Sequence, residues 1–246
     1  MNSKRVLLQP AFVLHRRAYR ETSFLVELFT QEFGRLTLIA RGVRKMHSAT
    51  FGLIQPFSPL LVSWSGKGEL MTLSYIETKS VVRRLNKESL FAGLYLNELL
   101  MCLLQKWDVH TELFINYEKT ITMLQQGLEE KILRMFEKSL FEELGYGVLP
   151  KSDISLQKAF LPEKYYRFIF EQGFVLGNTM DVSGAEVPVE RPSNHQSNLF
   201  SGKNLLAIAN NHWQDEAVLR DAKRLTRLML ASLLGARQIY SRQLLS

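Results

Sequence analysis

Seven basic residues fall between positions 16 and 45: Arg16, Arg17, Arg20, Arg35, Arg41, Arg44 and Lys45. Three follow the apolar run AFVL, one precedes LTLIA, and three come after it. Side chains clustered in this way can neutralise phosphates and release their counterions, giving tight but salt-dependent affinity for a nucleic acid. Aromatic residues are interspersed or close by, namely Tyr19, Phe33, Phe51, Phe57, Trp64 and Tyr75. Such rings can stack on unpaired bases, although most aromatics of a small domain belong to its core.

Two further basic stripes have helical spacing. Lys131, Arg134 and Lys138 flank the apolar line Ile132, Phe136 and Leu140. Arg220, Lys223, Arg224 and Arg227 run beside Val218, Leu225 and Met229. A charge stripe is most often a solvated helix face. The sharper reading of each is a dock for nucleic acid or for an acidic peptide.

The patterns that would signal catalysis do not occur. Gly66-Lys67-Gly68 lacks the spacing of a phosphate-binding loop, and there is no HExxH, GxSxG or CxxC. The histidines, His15, His47, His110, His195 and His212, are scattered without metal-ligand spacing. The single cysteine, Cys102, allows neither an internal disulfide nor a thiolate zinc site. The sequence therefore predicts a binding protein with no catalytic residue, no cofactor and no metal. A nuclease with weak motifs and a pure protein adaptor are the competing classes. The apolar stretch from Leu99 to Leu104 is far shorter than the roughly 20 residues a membrane-spanning helix needs. The N-terminus has no apolar run with a small-residue cleavage site, so a cytoplasmic setting is expected.

The elements that must position these groups change character along the chain. Residues 11–17, 23–29, 36–41, 60–64 and 70–76 are short β-prone runs separated by Gly34-Arg35, Gly42, Pro56/Pro59 and Gly66-Lys67-Gly68. A short helical or irregular insert falls near 46–54. Five strands suit an OB-fold, and an SH3-like barrel would give a similar count. After residue 85 the period becomes helical. Asn86 or Ser89 can cap a helix that turns Leu90, Leu94, Leu99 and Leu103 inward, and Thr111 can cap the next. A third runs from about 128 to 144 and ends at Gly145. Tyr165–Phe170 and Phe174–Leu176 form a possible hairpin, 178–202 reads as loop, and helices follow over 203–212 and 215–234. The expected class is α+β: a five-stranded N-terminal barrel over 1–80, then a mostly α-helical domain over 81–246 with an irregular segment at about 148–202. Charge divides along the same line. Residues 1–80 hold 11 Lys/Arg against 5 Asp/Glu, and residues 81–246 hold 20 against 19. Nearly all the excess positive charge thus lies with the strands, as in a polyanion-binding module joined to a neutral one.

Taken together, AFVLHRRAYRETSFLVELFTQEFGRLTLIARGVRK and GLIQPFSPLLVSWSGKGELMTL resemble the N-terminal OB-fold of the RecO family of bacterial recombination mediators. FAGLYLNELLMCLL, ELGYGV, YYRFIFEQGF, RDAKRLTRLML and SRQLL resemble its helical domain, in family order over nearly the whole chain. The resemblance implies a nucleoid-associated DNA repair protein that binds single- and double-stranded DNA and anneals complementary strands. It further implies action with RecR to load RecA onto single strands coated by SSB, without catalytic residues. It also implies that the acidic, aromatic-ended SSB tail meets an apolar and basic site in the helical domain. Arg134, within LRMFE, matches a basic residue of that site, and helical geometry adds Lys131 and Lys138. Some members hold zinc with four cysteines after ELGYGV. Residues 148–200 contain none here. A metal-free segment packed by Phe160, Tyr165, Phe168 and Phe174 is expected instead.

Overall fold

The computed structural model describes residues 4–44, 48–67, 70–80, 84–147, 149, 160–180, 186–188 and 198–245. They form two compact units, residues 1–129 with 239–246, and residues 130–238.

The first unit is built on a closed barrel. Its strands are β1 (Lys4–Tyr19), β2 (Ser23–Thr30), β3 (Gly34–Ala40), β4 (Leu60–Gly66) and β5 (Met71–Thr78). They close in the order β1-β2-β3-β5-β4, with β4 returning to β1. All pairings are antiparallel except β3 with β5, where Leu38 meets Met71 and Ile39 meets Thr72. A five-stranded barrel with one parallel closure is an OB-fold arrangement. The short helix α1 (Ala49–Leu53) lies between β3 and β4.

Alternation accounts for the inner face. Val13, Val26, Leu28, Leu36, Leu38, Val62 and Trp64 fill the barrel. Along β1, however, Ala11, Phe12, Val13 and Leu14 are all buried. The outer face of β1 and β2 is covered by α2 (Lys87–Leu103) and α3 (Thr111–Leu124). Phe12 and Phe29 meet Phe114 with ring centroids 5.6 and 5.4 Å apart. Asn97 Nδ2 donates to the Leu14 carbonyl at 2.9 Å, and Asn97 Oδ1 accepts from Tyr117 Oη at 2.5 Å. Burial pushes the Tyr117 hydroxyl pKa far up. This pair satisfies polar groups that would otherwise be stranded in the apolar layer. Two glycines are required by close approach. A Cβ on Gly34 would fall 1.7 Å from the Asp108 carbonyl oxygen, and one on Gly93 would fall 2.6 Å from the Phe57 ring.

Capping and facing differ in detail from the sequence reading. Asn86 caps α2 by accepting from the Ser89 amide at 2.8 Å. Leu99 is buried as expected, Leu94 and Leu103 are half-buried and Leu90 is exposed, and Ala92, Tyr95, Leu96 and Leu100 complete the buried face. Thr111 is not the cap of α3: its hydroxyl donates to the Gln31 carbonyl, and His110 occupies the cap position, where its side chain makes no capping bond and lies 3.3 Å from the Asp108 carboxylate. A closing 3-10 helix, Ser241–Leu245, returns to α2. Its first amides, from Tyr240 and Ser241, donate to the Glu98 carboxylate at 2.9 and 2.8 Å.

The second unit begins with α4 (Glu130–Glu143). It continues with β6 (Tyr165–Ile169), β7 (Gly173–Leu176), β8 (Asn178–Met180), β9 (Glu186–Pro188) and β10 (Leu199–Ser201). It closes with α5 (Gly202–Ala209) and α6 (Glu216–Leu234). The expected hairpin is β6–β7, with Phe168 opposite Phe174. Leu199–Ser201, read from the sequence as loop, pairs with β6 as a third strand, and β8 pairs with β9. Three residues are too short to show an alternation, so composition decided that reading wrongly. Phe160, Tyr166, Phe168, Phe174 and Phe200 pack as tilted or edge-on pairs with centroids 5.0–5.7 Å apart. Tyr165 is only half-buried and Tyr166 takes its place in the core. Residues 148, 150–159, 181–185 and 189–197 lie outside the described residues.

Candidate functional site

Strand register sorts the basic residues of the barrel into separate places. Arg17 lies opposite Leu25, Leu25 opposite Ile39, and Phe24 opposite Ala40. The β1–β2 turn carrying Arg20 and the chain leaving β3 through Arg41 and Arg44 therefore share one end of the barrel. All four of these arginines are exposed. Tyr19, Arg20, Ile39 and Arg41 line a shallow open cleft there. Arg20 lies over the Tyr19 ring at 5.2 Å, and Arg44 Nη1 donates to the Arg20 carbonyl at 3.0 Å. Lys45 lies outside the described residues.

Arg35 and Arg16 are placed differently. Arg35, the second residue of β3, lies opposite Phe29, roughly 20 Å of strand away from Arg41. Its guanidinium is 3.2 Å from Glu27 Oε2 and donates to the Leu104 carbonyl at 3.1 Å. Thr37 Oγ1 donates to the same carboxylate at 2.6 Å, and Lys106 lies 3.8 Å from it. Arg16 donates to the carbonyls of Phe51 and Ile54 at 3.3 and 2.7 Å and lies 5.1 and 4.9 Å from the ring centroids of Phe24 and Phe51. Both cations already have protein partners.

The aromatics separate as cleanly. Trp64 and Phe57 are buried and Phe33 packs edge-on against Trp64. Phe51 and Tyr75 are exposed. A hydrogen bond to the Glu77 carboxylate raises the Tyr75 pKa above its ordinary value.

In the second unit, α4 and α6 hold a narrow cleft of about 40 Å³ between Arg134, Lys138, Phe141, Trp213, Leu225 and Met229. Its walls are apolar and its floor carries a buried ion network. Glu137 is fully buried. One of its oxygens accepts from Arg134 Nη2 at 2.8 Å and the other from Thr226 Oγ1 at 2.9 Å. Arg134 is itself 6% exposed. Its Nε and the Trp213 indole Nε1 are buried donors without a hydrogen-bond partner among the described residues. Lys138 sits at the rim, donating to the Ala209 carbonyl and Asn211 Oδ1 at 3.1 and 3.0 Å, with Glu142 at 3.5 Å. Lys131 is half-buried and does not line the cleft. Glu137, Thr226 and Trp213 were not singled out by sequence reasoning. Only the Arg134/Glu137 spacing of three hinted at a pair.

The stripe on α6 is dispersed. Arg224 turns inward over the Phe200 ring at 4.3 Å, donates to the Leu199 carbonyl and pairs with Asp221 at 3.0 Å. Lys223 pairs with Glu130 at 3.4 Å, and Arg220 pairs with Glu216 at 3.7 Å in full exposure. Arg227 is exposed.

Among the described residues no three His, Cys, Asp or Glu are grouped to hold a metal ion. None of their helices is long and apolar enough to cross a membrane.

Residues 4–82 match the family described as recombination protein O N terminal, and residues 84–243 match recombination protein O C terminal. The chain is 40% identical over 243 residues to the DNA repair protein RecO of Coxiella burnetii, covering 99% of each chain. It is 40% identical over 242 residues to that of Nitrosococcus oceani, covering 98% of this chain and 93% of the other. To that of Dechloromonas aromatica it is 38% identical over 240 residues, covering 96% and 93%. Matches that span both halves in order, at this identity and coverage, leave no part of the fold to another family, and the chain belongs to the recombination protein O family.

Proposed function

We propose that this chain is a non-catalytic mediator of recombinational DNA repair. In this reading it binds single- and double-stranded DNA and anneals complementary strands. With RecR it helps to load RecA onto SSB-coated single strands, in the cytoplasm at the nucleoid. Residues 1–80 are assigned as the DNA-binding domain and 81–246 as the helical domain. The observation that carries the reading is the group of exposed cations, Arg17, Arg20, Arg41 and Arg44, at one end of an OB-fold barrel. Point charges around a shallow surface suit a phosphate backbone, which asks for charge rather than a fitted pocket. Arg16 and Arg35 contribute less because their guanidiniums are occupied, and Lys45, the residue after Arg44 in the sequence, is assigned to the same function. The basic stripe Arg220, Lys223, Arg224 and Arg227 is the weaker candidate for a continued DNA path.

The cleft in the second unit suits the SSB tail. An acidic peptide ending in an aromatic residue offers a ring to the apolar walls and carboxylates to Arg134 and Lys138. The orphan donors of Arg134 and Trp213 supply unfilled hydrogen bonds in a site of matching chemistry.

Labelled complementary oligonucleotides incubated with the protein and magnesium or manganese test the first part. Strand pairing is expected, whereas strand loss would make the protein a nuclease. RecA filament nucleation on SSB-coated strands, with RecR added or omitted, tests mediation. For the tail, Arg134→Ala is expected to weaken binding of the acidic peptide about tenfold or more. Equal binding by the two proteins would remove that assignment.

A further inference from the structure

One feature of the barrel surface is explained neither by core packing nor by phosphate binding. Phe51 keeps 43% of its surface exposed, although Phe57 six residues later is buried. The ring does not lie loose on the surface. Arg16 sits 4.9 Å from its centroid and 5.1 Å from that of Phe24, and the two rings are themselves paired, 5.9 Å apart at 38°. The same guanidinium donates to the carbonyls of Phe51 and Ile54, so it supports both the ring and the backbone that carries it. Arg44, which is exposed and donates to the Arg20 carbonyl, lies 5.8 Å from the Phe24 ring and puts a cation beside this stack.

We propose that Phe51 is a stacking platform for an unpaired base, held in place by Arg16. The proposal rests on the DNA-binding reading above and adds a contact that a duplex cannot make. A base inside a duplex has both faces covered by its neighbours, whereas an unpaired base has a face to offer a ring. A ring fixed beforehand loses little freedom on binding, which favours the contact. Arg44 is within reach of the phosphate next to that base. Arg16 is then a positioning residue, its charge spent on protein carbonyls and rings and not on a phosphate.

The test measures affinity of the full chain for an oligo-dT strand and for a duplex of equal length. Phe51→Ala should weaken single-strand binding roughly 5- to 100-fold and change duplex binding less than about twofold. Phe51→Tyr should restore it. Equal losses on both ligands, or none on the single strand, overturn the platform. Phe51→Trp adds a direct readout: its emission should be quenched by oligo-dT and not by duplex, and unquenched emission with bound strand overturns the proposal. Arg16→Gln should lower single-strand affinity while leaving the slope of log K against log salt unchanged. A slope reduced by about 0.7 would make Arg16 a phosphate contact instead. If the unaltered chain bound no DNA, the failure would be that of the DNA-binding reading, separate from these outcomes.

Discussion

The two units use arginine in opposite ways. At the end of the barrel, Arg17, Arg20, Arg41 and Arg44 stand in solvent around a shallow surface. On the floor of the helical cleft, Arg134 is buried and held by a fully buried carboxylate. An exposed cation costs nothing to fold and meets any phosphate that arrives, but salt screens it. A buried ion pair is expensive to desolvate, and once formed it fixes direction. The first arrangement fits a long, repetitive polyanion, and the second fits one short ligand of defined shape.

The sharpest separation of the two uses should come from removing the buried carboxylate. Glu137→Ala leaves Arg134 uncompensated and should destabilise the second unit by about 3–5 kcal/mol, read from urea unfolding. Glu137→Gln keeps one acceptor oxygen for Arg134 and presents an NH2 that can donate to the Thr226 hydroxyl, and should lose less. If Glu137→Ala were as stable as the parent, the cleft floor would be no different in kind from the barrel rim. Next in size, replacing Arg20, Arg41 and Arg44 together by Glu should lower DNA affinity about 100-fold or more with no change in melting temperature. Unchanged binding by the folded triple variant would move the DNA contact elsewhere.

Salt probes the comparison without mutation. Four phosphate contacts give a slope near −3 for single strands, a loss of roughly 50-fold between 50 and 200 mM salt. Binding of the acidic tail peptide, anchored by apolar burial as well as charge, should fall only a few-fold over that range. Parallel losses for the two ligands would collapse the distinction.

Period and turn chemistry made the elements legible, because local spacing is what those patterns record. Four of the five barrel strands came within two residues of their observed ends, whereas β1 begins at Lys4, seven residues before the alternating run that marked it, and Gly145 and Gly235 stop helices with positive φ. Which side chains were already engaged was not legible. Arg16 and Arg17 are neighbours, and nothing local tells that the Ile54 carbonyl, 38 residues on, takes the first and leaves the second in solvent. Arg35 is likewise claimed by Leu104, across 69 residues. In α4 the stripe was visible, but its depth was not: Arg134 sinks between Leu133 and Phe136 because Glu137 and Thr226 make burial tolerable. Long-range partners convert a basic residue from ligand-binding to structural, and one chain without its fold does not display them.

The smallest expected effect bears on the α6 stripe, which would break the comparison by bringing DNA to the second unit. Three of its four cations have acidic partners, at Glu216, Glu130 and Asp221. Arg224 is further anchored by Phe200 and the Leu199 carbonyl. Only Arg220, whose pair is fully exposed and so readily exchanged, and Arg227 are at hand for a phosphate. Replacing both by Ala should change DNA affinity by no more than about twofold and leave the salt slope within error. A slope smaller by one or more would mean that these two arginines release counterions. The polyanion would then be shared between the units, and exposure would outrank fold as the guide to where DNA binds.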